Sequence, residues 1–199
     1  MRPVIGRERS FMKKAPELTA TRNRAAPDFA YVDSDGKAIR LAELWSTAEK
    51  GIVLVFLRHF GCLFCRDHAV QLREHHGEFE QRGFTVVAVG QGTPARSVKF
   101  AQDYRLPFTV LGDRALNSYR LYGLTTGSLG GFLQPKAYKS GIRALLRGNF
   151  PGRPDGDINQ NPGTFLIDRN GQILHAHVGQ HAGDFPSAAE ILQWIDMQS

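Results

Sequence analysis

Cys62 and Cys65 are the only cysteines among the 199 residues, and they stand three positions apart in Cys62-Leu63-Phe64-Cys65. On one turn of helix such a pair can open and close a disulfide without moving the backbone. The member at the helix start is favoured as a thiolate, because the free N–H groups there stabilise an anion. Arg58, His59 and Arg66 add positive charge close by in the sequence. The expected chemistry is thiol–disulfide exchange, with Cys62 attacking and the more buried Cys65 resolving. Two other readings share this spacing. Zinc would need two further ligands; His59 and His68 are the nearest candidates, with no second Cys-x-x-Cys or spaced His pair beside them. A pair of inert core cysteines is the third reading. A long-range disulfide framework is excluded, since no other cysteine remains to be cross-linked.

These thiols need a strand ahead of them and a helix behind. Ile52-Val53-Leu54-Val55-Phe56-Leu57 is apolar on both alternating faces, the pattern of a central strand covered on each side by helices. Beyond the dithiol, Cys65, Ala69, Leu72 and Phe79 recur at helical spacing up to Gly83. Phe84 to Val89 reads as another strand, and Pro94 opens a helix that runs to Tyr104. Strand, helix, strand in this order implies parallel pairing. Phe29 to Val32 and Lys37 to Leu41 read as a hairpin turning on Asp33 to Gly36, followed by a short helix through Leu44 and Trp45. Leu106 to Leu111 is a short strand and Arg114 to Tyr122 a short helix. Thr164 to Asp168 and Ile173 to Val178 form a late hairpin on Asn170-Gly171, and Ser187 to Met197 is the last helix.

Charge and length bound the function. The net charge is +6, but residues 1–24 hold seven basic and two acidic side chains, so the remaining 175 residues carry only +1. A near-neutral body with a basic arm argues against a nucleic-acid groove. Residues 1–25 read as a flexible arm and 26–199 as one folded unit, with an irregular insertion at about 125–161. Within it Tyr138, Ile142, Leu145 and Leu146 share a helix face beside Lys136, Lys139, Arg143 and Arg147, a stripe suited to packing on the sheet and positioned to roof the dithiol. The longest apolar run is too short to cross a bilayer, and a cytoplasmic protein without membrane partner is expected. Gly90-Gln91-Gly92 lacks the third glycine of a dinucleotide turn and reads as a plain loop. His175 and His177 share one face of an edge strand, where exposed polar residues are ordinary; His181 and Asp184 either cap the last helix or hold its loop near the dithiol.

Phe56 to His68, then Pro162-Gly163-Thr164-Phe165-Leu166-Ile167-Asp168, and the ending His181-Ala182-Gly183-Asp184 resemble the AhpC/TSA-related peroxiredoxin-like family, which includes the prostamide/prostaglandin F synthases. The resemblance spans roughly residues 26 to 190. It implies an α/β thioredoxin-like fold: a central mixed sheet flanked by helices, with the helical insertion before the final hairpin. It also implies an antioxidant, thiol-dependent reductase acting on a peroxide or disulfide, with no bound cofactor or metal. A thioredoxin- or glutathione-type thiol donor would recharge it. Through the same resemblance, Pro162 is expected in the cis form facing the dithiol, with the main chain of Pro162 and Gly163 open to an extended substrate. The usual Pro-x-x-x-Thr-x-x-Cys frame of peroxiredoxins is absent. Aligning its cysteine on Cys65 puts Cys62 at the Thr position and Arg58 at the Pro position. Either Cys65 is the peroxidatic residue resolved by Cys62, or Cys62 leads.

Overall fold

The computed structural model describes residues 22–32, 37–124, 126 and 156–198. The hairpin turn at residues 33–36, the insertion helix from Lys136 to Arg147 and most of the basic arm lie outside the described residues.

The centre is β3 (Gly51–Phe56), every residue of which is buried. It pairs in parallel with β4 (Phe84–Gly90) and antiparallel with β6 (Gly163–Asp168). β5 (Thr109–Gly112) and β7 (Ile173–Val178) are the edges, giving the order β5-β4-β3-β6-β7. The sheet is mixed and helix-flanked, as expected. The period-2 geometry of a strand splits β3 between two cores. Ile52, Leu54 and Phe56 face one, with Tyr119, Tyr122 and Phe165; Val53, Val55 and Leu57 face the other, with Cys65, Leu72 and Ile191. Full burial of each such aliphatic is worth about 1.5–3 kcal/mol, so β3 is anchored from both sides.

A small antiparallel ribbon, β1 (Ala30–Val32) with β2 (Ala38–Arg40), leads into α1 (Leu41–Thr47). The predicted single helix after the dithiol is two: α2 (Leu63–Glu74) stops at His75 and α3 (His76–Gln81) restarts from it. His75 leaves helical geometry with ψ near zero, and its ring Nδ1 lies 2.9 Å from the Gln71 carbonyl. α4 (Pro94–Asp103) begins with Pro at its first turn and Thr93 as cap. α5 (Asn117–Leu121) is shorter than the sequence suggests, because Leu116 enters it in a left-handed conformation (φ 57°). α6 (Ala188–Asp196) opens on a capping box between Ser187 and Glu190.

The arm boundary shifts as well. Residues 22–25, assigned from sequence to the free arm, dock on β7: Asn23 donates to the Ile173 carbonyl at 2.8 Å and Ile173 to that of Arg24 at 2.9 Å. They fill hydrogen-bonding groups at the start of an edge strand.

Candidate functional site

The site is built where β3 ends. The Leu57 N–H still bonds the Val89 carbonyl at 2.7 Å, after which the chain turns away from the sheet towards α2. Phe60 anchors this turn by inserting its ring between Gly90 and Gly92. A Cβ at Gly90 would lie 2.3 Å from Phe60 Cε1, and one at Gly92 would lie 2.8 Å from Cε2. The Gly-Gln-Gly loop exists to admit that ring, which stacks onward against Phe100 at 4.9 Å between centroids. The turn delivers Cys62 to the N-cap position of α2 and Cys65 to its first turn.

The two thiols sit in opposite electrostatic conditions. A hydrogen bond from the Cys65 side chain and the Arg58 guanidinium together pull the Cys62 thiol down to about 6, against the opposing cost of burial; the backbone N–H groups of Cys65 and Phe64 add to the effect. Burial pushes Cys65 well above the ordinary thiol value, and a negative Cys62 beside it pushes further in the same direction. A proton shared by such a pair rests on Cys65 and the charge on Cys62. Arg58 serves both sulfurs: its backbone N–H donates to Cys65 Sγ at 3.2 Å and its Nη1 points at Cys62 Sγ from 3.5 Å.

Cys62 is less open than its place at a helix start suggests, with only 5% of its surface exposed. The Arg58 guanidinium lies against its sulfur and is in turn held by the segment just before Pro162. Arg58 Nε donates to the Gln160 carbonyl at 2.9 Å and Nη2 to that of Ile158. Arg66, predicted to reinforce the positive charge, turns away: its Nε donates to the Phe60 carbonyl at 3.1 Å and its guanidinium lies over the Tyr104 ring. It sits one helical step past Cys65, on the outer face of α2.

Pro162 is not cis; no described peptide bond is. Its ring packs against Gly179, and its carbonyl accepts the Gly179 N–H at 2.9 Å. Gly163 is held in the ladder between Phe56 and Val178.

The histidines divide. His68 is buried on α2, stacked on Phe185 at 4.4 Å, with its Nε2 unpaired; burial and the nearby His177 lower its pKa to about 3. His175 is not an exposed edge residue, for it stacks on Trp194 at 3.9 Å. His177 Nε2 lies 3.2 Å from Asp184 Oδ1, and the other Asp184 oxygen accepts the Gln180 N–H at 2.8 Å. Asp184 thus fastens the loop, while Ser187 caps α6. A Cβ on Gly183 in that loop would lie 3.2 Å from the Phe64 ring, which brings the loop against the dithiol motif. Among the described residues no three His, Cys, Asp or Glu side chains gather as a metal would require, and no helix is long and apolar enough to cross a membrane.

Sequence reasoning missed Gln91 and Gln160, which are 2% exposed and hydrogen bonded around the turn. The only signal for Gln91 was its place between two glycines.

A model of the AhpC/TSA family matches residues 23–176. Peroxiredoxin Q from the chloroplast of Gentiana triflora is 26% identical over 147 residues, covering 74% of this chain and 54% of the relative. The prostamide/prostaglandin F synthase of Pongo abelii is 27% identical over 175 residues, 82% of this chain and 83% of that protein. The chain spans between about half and two thirds of the length of the plant peroxiredoxin Q proteins it matches. Among solved structures, peroxidoxin BcpB from Mycobacterium tuberculosis superposes with a TM-score of 0.67 at 18% identity, over 90% of this chain and 98% of that one. That likeness is one of fold.

Proposed function

Because the chain belongs to the AhpC/TSA family, we propose that it is a thiol-dependent peroxidase or disulfide reductase in which Cys62 attacks and Cys65 resolves. The family carries thiol peroxidase and oxidoreductase chemistry in general. The observation that carries the finer reading is the opposed setting of the two thiols: Cys62 at the helix start, held as a thiolate by Cys65 and Arg58, and Cys65 buried and protonated beneath it. This favours Cys62 over Cys65 as the attacking residue, in spite of the family frame that would align its cysteine on Cys65.

With a hydroperoxide, the Cys62 thiolate attacks one peroxide oxygen and the O–O bond breaks. The departing alkoxide or hydroxide takes a proton from the solvent and leaves as alcohol or water, and Cys62 becomes a sulfenic acid. The Cys65 sulfur then displaces hydroxide, which departs as water with the Cys65 proton, and the S–S bond forms. An external donor, one dithiol of the thioredoxin type or two monothiols of the glutathione type, returns two electrons and two protons and is itself oxidised to a disulfide. A disulfide substrate enters the same cycle by attack on its sulfur. The 5% exposure of Cys62 favours a small peroxide over a macromolecular disulfide.

The test is rapid mixing of the reduced protein with hydrogen peroxide, following thiol loss in wild type, Cys62→Ser and Cys65→Ser. Cys65→Ser should still consume one peroxide and stop at the sulfenic acid, whereas Cys62→Ser should be inert. The reverse pattern would transfer the attack to Cys65. Redox sensing without turnover would show as a single oxidation that no thiol donor reverses catalytically.

A further inference from the structure

Arg58 does not hold its place against Cys62 by packing alone. Gln91, 2% exposed in the loop after β4, binds both sides of the Arg58 environment through one amide. Its Nε2 donates to the Arg58 carbonyl at 2.5 Å and to the Asp157 carbonyl at 2.9 Å, and its Oε1 accepts the Asp157 N–H at 2.7 Å. One and three residues further along, that same segment presents the Ile158 and Gln160 carbonyls to Arg58 Nη2 and Nε. The result is a closed circuit. The Gln91 amide fixes the Arg58 peptide and the start of the segment, the segment fixes the guanidinium, and the guanidinium addresses Cys62 Sγ. The segment is shaped for this contact: Gly156 has φ +128°, and a Cβ there would lie 2.2 Å from Gln91 Oε1. Only glycine admits the approach.

Resting on the reading of Cys62 as the attacking thiol, we propose that Gln91 is a positioning residue for that reaction, clamping the segment 156–160 to Arg58 so that the guanidinium stays aimed at the Cys62 sulfur. A buried amide with three bonds to main-chain groups is more than a loop filler, because a residue that merely fills space leaves those groups to pair elsewhere. It reaches the thiol only through Arg58, and this gives it a signature distinct from general destabilisation.

The experiment measures iodoacetamide alkylation of Cys62 in the reduced full-length protein, read by mass mapping with Cys65 retained, as a function of pH, with and without Gln91→Leu. Leu keeps the volume and removes all three bonds. The alkylation midpoint should rise by about one pH unit, with alkylation at pH 6 slowed about fivefold. In an Arg58→Met background, Gln91→Leu should add no further shift. Gly156→Ala, whose Cβ would collide with the Gln91 amide and push it and the segment apart, should raise the midpoint in the same direction, and it supplies the test if Gln91→Leu does not fold. An unchanged midpoint in a folded Gln91→Leu or Gly156→Ala protein overturns the clamp. So does a shift of the same size when Arg58 is already Met. A midpoint near 9 in the Gln91-containing protein would instead refute the thiolate reading of Cys62 itself, which keeps the two failures apart.

Discussion

Replacing His68 by Leu should flatten the acid side of the stability profile. His68 is fully enclosed between α2 and Phe185, and burial together with His177 holds its pKa near 3 in the folded protein against about 6.5 when exposed. Between those two values the unfolded chain binds a proton that the folded chain refuses. Folding is therefore unpenalised above the unfolded value and loses stability as the pH falls below it. From pH 7 to pH 5 the loss from this one imidazole is about 2 kcal/mol, taking 1.36 kcal/mol per unit of pKa difference. A typical domain has about 5–15 kcal/mol in total, so the effect is large enough to resolve. Equilibrium urea unfolding under reducing conditions at pH 5, 6 and 7 measures it for wild type and variant. Leu loses the ring stacking and costs stability at every pH, but that offset is constant, and the difference in slope belongs to His68. Wild type and variant losing stability in parallel between pH 7 and 5 would refute the neutral, enclosed histidine, as would an imidazole resonance of His68 titrating near 6.5.

Other outcomes follow from the same contacts. In the native reduced protein, alkylation of Cys62 should be half-maximal near pH 6 while Cys65 stays unlabelled until the chain unfolds, as mass mapping of the modified peptides would show. Arg58→Met should slow alkylation at pH 6 and lower the urea midpoint, since it removes the hydrogen bonds to the Ile158 and Gln160 carbonyls at about 1 kcal/mol each. Arg66→Ala should leave the alkylation midpoint unchanged, because that guanidinium faces Phe60 and Tyr104 instead of the thiols. Ser187→Ala should cost about 1 kcal/mol by removing the cap of α6, with thiol reactivity unaffected.

The sheet was legible because its signals are local. Six apolar residues with no polar face can only be a covered strand, and Asn170-Gly171 announces its hairpin with Gly171 at φ +78°. The dithiol was legible because two cysteines on one helical turn leave few alternatives. What sequence could not supply was direction. Arg58 and Arg66 stand on either side of the cysteines, yet the first reverses onto the sulfurs and the second leaves with the outer face of α2. Nothing in the residue types distinguishes them; the turn around Phe60 does. Gln91 and Gln160 were silent for a related reason, since amides far apart in sequence acquire a role only when folding brings main-chain groups within their reach. Pro162 shows the opposite fault, a feature carried over from the fold at large that this chain does without.

The placement of both sulfurs within one turn of α2 also decides a kinetic race. A sulfenic acid on Cys62 has its resolving partner already in hydrogen-bonding range, with no helix to unwind before the disulfide closes. A second peroxide must arrive by diffusion before that short intramolecular step is over. Under the proposed function, with Cys62 attacking peroxide, this geometry would favour disulfide closure over irreversible sulfinic acid damage at high peroxide, with the buried Cys65 as the protecting partner.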